Sequence, residues 1–331
     1  MTSSTSRRRK RPGEFALIAE LFAPLARTPA ALGLTDDAAL LTPPRGRDYV
    51  VTTDAIVEGV HFLKSDPPDS IARKALRVNL SDLAAKGAEP VGYLLALSLP
   101  DRIDHLWLKA FARGLARDQK TFGITLLGGD TTRTPGPLSI AITAIGSIPK
   151  GRMIKRRGAR PGDLVFVSGT IGDAGAGLEC LRRRRVSGKA ARHLIARYRI
   201  PEPRLTLGKR LVTVASAAID VSDGMLADLG HIAETSKVRI AVDALRLPLS
   251  RPLCAVWGNS DAAVIRAATA GDDYELAFTC ARADADKVRA LGRATGVPVA
   301  ECGVVMRGRG VVLIDSRRKP RFPTHGGYTH F

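Results

Sequence analysis

The chain is 331 residues long, 45% hydrophobic and 25% charged, with a formal net charge of +19. That length allows two packed domains, and no apolar run approaches the roughly 18 residues that would predict a membrane span. Only 5% of residues are aromatic and no nucleic-acid module is recognisable, so the basic excess reads as solubility and steering of anionic substrates, not as a nucleic-acid surface.

In chain order, residues 1–12 form a tail whose basic run, Arg7 to Arg9 with Lys10 and Arg11, predicts disorder. Glu14 and Glu20 interrupt the segment behind it at helical spacing, which argues against a secretory signal. Residues 14–27 repeat apolar side chains as a helix does, Tyr49 to Thr53 read as a strand, and Ser70 to Lys86 as a helix. Strands are predicted at Val91 to Leu99, Ile124 to Leu127 and Leu138 to Ile148, with a helix over Leu106 to Gln119. The Arg- and Gly-rich stretch from Gly151 to Gly162 reads as a linker, dividing the chain into a domain at 13–150 and another at 151–331. Beyond it LVFVSG starts the second unit, with helices over Ala174 to Arg184, Pro203 to Ser216 and Met225 to Thr235, and strands over Val238 to Val242 and Leu276 to Cys280. The order is mixed, which predicts an α+β or mixed-sheet architecture over a doubly wound parallel one. Cys180, Cys254, Cys280 and Cys302 form no zinc-binding or disulfide pattern and read as reduced, buried residues of a cytoplasmic protein. The block Arg182 to Arg185 reads as a solvated face.

Against this basic background, acid is concentrated in six short segments: TDDAALL, VVTTDAIVEG, VNLSDLAAKG, LLGGDTT, AAIDVSDGM and AGDDYEL. Two carboxylates about 4 Å apart repel by roughly 4 kcal/mol at an effective dielectric near 20, so gathered acids require protonation, Lys or Arg partners, or metal. In LLGGDTT, glycines let backbone N–H groups approach an anion while Asp130 holds a cation; the plainer alternative is a tight turn capped by Asp130. Asp54 ends a strand after Thr52 and Thr53, and is either part of an oxygen-rich ion site or a strand-end cap. Asn79, Asp82 and Lys86 share a helical face, with either a surface Asp82–Lys86 pair or a buried functional carboxylate as the outcome. In IDVSDG, Ser222 or Asp223 either caps the following helix or meets phosphate. An all-oxygen acid set without Cys or His favours magnesium, and the absence of GxxxxGK[ST] excludes a P-loop. Arg156, in the basic GRMIKRRGARPG stretch, is either a phosphate clamp or a solvated linker charge.

Taken together, GEFALIAELF, DDAALL, TTDAIVEGVHF, NLSDLAAKGAEP, LLGGDTTR, IDVSDGMLADLGHI, GDDYELAFT and GGYTHF resemble the thiamine-monophosphate kinase family, over nearly all of Gly13 to Phe331. The resemblance implies the two-domain fold of aminoimidazole ribonucleotide synthetase-like enzymes, a homodimer pairing N-terminal sheets, and transfer of phosphate from ATP to thiamine monophosphate. It implies metal ligands at Asp36, Asp54, Asp82, Asp130, Asp220 and Asp223 with Thr52 and Thr53 beside them. It implies ATP contacts at Gly129, Asp130, Arg156, Ser222 and Phe122, and acceptor contacts at His61, Asp272 and Tyr328. Asp130, Asp223 and Arg156 are the expected catalytic residues. The chain departs from the family pattern at Thr35, Ala270 and Asp272, where Gly, Gly and Glu are usual. Among relatives, selenophosphate synthetase would need a Cys near the N-terminus, and none precedes Cys180; the hydrogenase maturation factor would need a terminal Cys, and the chain ends in His330 and Phe331. Aminoimidazole ribonucleotide synthetase is the nearer alternative, and a basic nucleic-acid binder the one from another class.

Overall fold

A computed structural model of the chain describes residues 12–183, 188–322 and 326–329. The predicted disorder of the tail up to Arg11, the helix end at Arg184, the charges at Arg184 and Arg185, and the terminal His330 and Phe331 lie outside the described residues. The chain forms two compact units; residues 12–45, Val51–Asn79 and Pro90–Gly146 make the first, and Gly46–Val50, Leu80–Glu89 and the described residues from Ser147 onward make the second.

The chain begins with α1 (Glu14–Leu17), which widens into a π-helical turn at Ile18–Phe22 and tightens into a 3-10 turn at Ala23–Leu25. The continuous helix expected over 14–27 is therefore broken, because Pro24 lacks an amide hydrogen and its ring clashes with the preceding turn. Strand β1 (Arg47–Val57), helix α2 (Pro68–Lys86), β2 (Glu89–Leu99), α3 (His105–Phe122), β3 (Thr125–Arg133) and β4 (Ser139–Pro149) follow. The Asp104 carboxylate caps α3 by accepting the Trp107 N–H at 2.8 Å, and Gly123, at φ +66°, ends it in the left-handed conformation that glycine adopts without strain. The four strands form a sheet in the order β1-β4-β2-β3, with β2 and β3 parallel. Alternate side chains, among them Tyr93, Leu95, Leu97, Ile140 and Ile142, are buried, while Val51 and Leu94 on the opposite face are 62% and 40% exposed. Gln119 of α3 reaches the Tyr93 hydroxyl at 3.2 Å, so helices cover the buried face and leave the other open.

The second unit contains β5 (Leu164–Ser168), α4 (Asp173–Arg183), α5 (Lys189–Arg199), α6 (Leu205–Leu211), β6 (Ala215–Asp220), α7 (Met225–Ser236) and β7 (Arg239–Asp243). It continues with α8 (Arg251–Trp257), α9 (Asp261–Thr269), β8 (Leu276–Cys280), α10 (Ala285–Thr295), β9 (Val299–Met306), β10 (Gly310–Ile314) and β11 (Pro320–Arg321). Seven strands form one sheet in the order β11-β10-β7-β9-β5-β8-β6. The β10–β7 pair is parallel and the others antiparallel, which is the mixed arrangement expected. Period-two alternation buries β5 on both faces: Val165 and Val167 pack with Leu229 and Ile232 of α7, Leu164 and Phe166 with Leu207 of α6 and Val288 of α10. The helix expected over 203–216 stops at Leu211, because the β-branched residues Val212, Thr213 and Val214 lead into the pairing of β6 with β8.

Candidate active site

In the first unit, β3 continues through the whole of LLGGDTT, so Asp130 lies within a strand and not in a turn after it. Gly129 is required there: a Cβ would stand 1.9 Å from the Leu95 carbonyl oxygen on β2. Ala96 pairs with Asp130, placing that carboxylate on the open sheet face. There Asp130, Gly128, Gly129, Asp36, Asp37 and Thr143 line a cavity of 710 Å³. The Asp36 side chain accepts the Asp37 N–H at 2.8 Å, which orients the DDAALL turn. The Thr53 hydroxyl contacts Thr143 at 3.0 Å on this same face. Asp54, expected at a strand end, is internal to β1, and alternation turns it and Thr52 toward the helix-covered face. Its N–H donates to the fully buried Asn79 side chain at 3.1 Å.

His61 accepts the Val57 N–H on Nδ1 at 3.0 Å, which places the proton of its neutral ring on Nε2. The His61 carbonyl accepts the buried Lys74 ammonium at 2.8 Å, so the loop after β1 is anchored to α2. Phe122, the last residue of α3, is not among the residues lining the cavity. Its ring lies 5.0 Å from the Arg77 guanidinium, which the buried Asp118 holds at 2.6 Å.

In the second unit, β6 ends at Asp220 as expected, and the VSDG turn follows. The structure assigns the helix cap differently from either sequence reading: Gly224 is the N-cap of α7 and makes no side-chain cap bond. The Asp228 carboxylate reaches back from the first turn of α7 to accept the N–H groups of Asp223 and Gly224, each at 3.2 Å. Burial, reinforced by the Asp223 charge, pushes the Asp228 carboxyl up to about 7. The Asp272 N–H donates to the Ser222 carbonyl at 2.7 Å and the Tyr274 N–H to the Val221 carbonyl at 2.8 Å. The Tyr328 N–H donates to the Asp223 carbonyl at 2.9 Å. Ser222, Asp223, Asp272 and Tyr328 are thus brought together by backbone bonds.

The sequence singled out Asp273 as one of a pair of acids, but not its part, or that of Glu275, as a support beneath this cluster. Asp272 and Tyr274 sit at φ +70° and +51°, conformations costly for residues with a side chain. Between them, the buried Asp273 carboxylate accepts the N–H groups of Gly172 and Ala174 at 2.6 and 3.2 Å, anchoring the turn to the start of α4. The fully buried Glu275 is held by Arg197 at 2.8 Å, by Arg204 at 2.6 and 2.7 Å and by Ser168 at 2.5 Å. The acidic pattern of GDDYEL is visible in sequence, but which carboxylates point into the fold is not.

At the end of α2, the Lys86 ammonium donates to the Ala218 carbonyl of β6 at 3.2 Å. The Ile154 N–H donates to the Lys86 carbonyl at 3.2 Å and the Ala218 N–H to the Lys155 carbonyl at 3.1 Å, joining α2, β6 and the expected linker. Asp82, Lys86, Arg156 and Asp220 surround this junction, and burial lowers the Lys86 pKa despite the opposing charges of Asp220 and Asp82. Among the described residues, no three His, Cys, Asp or Glu side chains form a ready-made metal cage. Carboxylate oxygens in ones and twos do fit Mg²⁺, which keeps several waters and takes its remaining ligands from substrate phosphates.

Residues 35–148 match the AIR synthase related protein N-terminal domain, and residues 160–316 its C-terminal domain. Over 324 residues, the chain is 48% identical to the thiamine-monophosphate kinase of Caulobacter vibrioides, covering 96% of this chain and 91% of that protein. The chain belongs to the thiamine-monophosphate kinase family. The crystal structure of the kinase from Stenotrophomonas maltophilia superposes with a TM-score of 0.83 at 42% identity, covering 91% of this chain and 96% of that one. A structure described as AaThiL complexed with AMPPCP and TMP superposes with a TM-score of 0.77 at 32% identity, covering 89% and 91% of the two chains. The two-domain fold expected of a thiamine-monophosphate kinase is the fold observed. Among the described residues, no helix is long and apolar enough to cross a membrane.

Proposed function

We propose that the chain transfers the γ-phosphoryl group of ATP to thiamine monophosphate, giving thiamine diphosphate and ADP. The observation that carries this reading is its likeness, over 89% of the chain, to the AaThiL structure complexed with AMPPCP and TMP. In the transfer, a phosphate oxygen of the acceptor bonds to the γ-phosphorus as the bond to the ADP oxygen breaks. Catalysis then consists of positioning and charge neutralisation, with little covalent work for the protein. Asp36, Asp54, Asp82, Asp130, Asp220 and Asp223 are the residues that would hold Mg²⁺, with Thr52 and Thr53 next to Asp54. Magnesium, when bound, supplies neutralisation of the phosphate oxygens. Gly129 leaves the sheet open to close approach of phosphate, Arg156 and Ser222 bind and orient the polyphosphate, and Phe122 contributes to the nucleotide side. His61, Asp272 and Tyr328 orient the acceptor.

We place the boundary between catalytic halves at residues 150 and 151, supported by domain matches that end at 148 and resume at 160. A homodimer through the N-terminal sheets is supported by the open face that carries Val51 and Leu94. Four free cysteines, three of them buried, support a cytoplasmic location.

Incubating the protein with Mg-ATP and thiamine monophosphate tests the reading directly: thiamine diphosphate and ADP should form in equal amounts. Thiamine offered instead should yield no diphosphate, and absence of product from thiamine monophosphate would overturn the assignment. Asp130→Asn and Asp223→Asn should each lower turnover by about 100-fold or more while circular dichroism stays native, as expected for groups acting on transition-state charge.

A further inference from the structure

The stretch from Gly151 to Gly162 reads in sequence as a linker, yet its middle is pinned from several sides. Ile154 is buried with Leu207 and Phe278 on one face of the seven-stranded sheet, and Ala159 with Val167 and Leu229 on the other. The chain between them therefore crosses the sheet at its edge strand, β6. It keeps close to that strand: the Ala218 N–H donates to the Lys155 carbonyl at 3.1 Å, and a Cβ on Gly158 would stand 2.1 Å from the Ser216 carbonyl oxygen. Arg156 lies at the crossing, exposed between the two buried anchors.

One side chain closes this crossing. The hydroxyl oxygen of Ser236, the last residue of α7, accepts the N–H groups of Gly158 and Ala159 at 3.1 and 3.2 Å, and its hydroxyl donates to the Arg156 carbonyl at 3.4 Å. A hydroxyl has one proton to give and two lone pairs to receive, so it suits all three groups at once. We propose that Ser236 is a positioning residue for Arg156, holding the arm so that the guanidinium meets the phosphates of the nucleotide, an inference that rests on Arg156 being a phosphate contact. The charge of Arg156 acts on the junction of α2 and β6 together with those of Asp82 and Asp220, so the arm presents it beside residues assigned to the transfer site. Immobilising a chain segment when a ligand binds costs conformational entropy, and an arm whose backbone is fixed beforehand loses less of it.

Isothermal titration calorimetry of the intact protein with Mg-AMPPCP, which needs no turnover, tests this. Ser236→Ala should weaken binding about fivefold, the worth of a typical hydrogen bond. Ser236→Thr keeps the hydroxyl and should bind within about twofold of wild type. Arg156→Gln should weaken binding by about tenfold or more, as expected on losing a charge-assisted contact. Adding Ser236→Ala to Arg156→Gln should change nothing further, because the hydroxyl acts through the guanidinium. A hydroxyl that merely supports the fold would lower affinity equally with and without Arg156, and such additivity would overturn the proposal. So would wild-type affinity in Ser236→Ala, or a loss in Ser236→Thr as large as that in Ser236→Ala. Should Ser236→Ala fail to fold, Ser236→Cys, a weaker hydrogen-bonding group of similar shape, replaces it in the cycle with the same expected signs. Wild-type affinity in Arg156→Gln would remove Arg156 from the phosphate site and end the proposal with it. Product formation from thiamine monophosphate reports on the proposed function separately, since these titrations contain no acceptor.

Discussion

Glu275 shows how much of the site's residue-level design lies below the chemistry. Its carboxylate meets two guanidiniums and a hydroxyl with no exposure to solvent, and its backbone carbonyl accepts the Val221 N–H at 2.7 Å. It therefore ties the turn after β6 to α5 and to the segment leading into α6. Glu275→Gln would leave two partly buried cations facing a neutral amide, and we expect a loss of about 3 kcal/mol in urea unfolding, the cost typical of breaking a buried pair. Unchanged stability would show that the network contributes nothing net. Asp220, Asp223 and Asp272 were legible because acid stands out at the end of an apolar run in a basic chain. Asp273 stood out in the same way, but its role as an internal anchor, like those of Asp228 and Glu275, was not legible, because the same residue type serves as ligand or as internal anchor according to burial alone.

At the scale of elements, the GGD segment is governed by how closely two strands approach. Gly128 and Gly129 are adjacent in sequence, yet a Cβ on Gly128 would meet only the Leu94 side chain at 3.5 Å, whereas one on Gly129 would strike backbone at 1.9 Å. Gly129→Ala should lower the melting temperature and weaken stabilisation by ATP, while Gly128→Ala should behave nearly as wild type in the same thermal scan. Equal effects of the two would show that strand separation does not set the glycine requirement. Periodicity located β8 to the residue and β7 to within one residue. It did not stop the helix before Val212, and it stopped β3 too early because two glycines resemble a turn until a neighbouring strand supplies partners. Helix α5 went unread although Ala191, Leu194 and Tyr198 form its buried stripe; charged residues fill the remaining positions and lower its mean hydropathy.

For the whole molecule, the open face of the first sheet is the feature that a single chain leaves unfinished. Leu94→Lys combined with Val51→Lys should convert the proposed homodimer to a monomer in sedimentation velocity, since charges on an apolar sheet face resist burial against a second copy. A wild-type protein that sediments as a monomer would remove that assembly from consideration. Deleting residues 1–12, which lie outside all the motifs, should leave turnover unchanged; a large loss would give the basic tail a role in the reaction.

The sequence by itself carried the family through the resemblance of its motifs, and through composition and pattern the mixed two-domain architecture and the positions where carboxylates end or interrupt apolar runs. These are local or additive properties of the chain, readable without knowing what packs against what. Tertiary structure alone decided that Asp36 and Asp130 line one cavity while Asp54 turns to the opposite face of the sheet. It alone made Asp273 and Glu275 internal anchors and brought Lys86 to β6. Those outcomes depend on strand register, pleat and burial, which arise only when segments far apart in sequence are brought into contact.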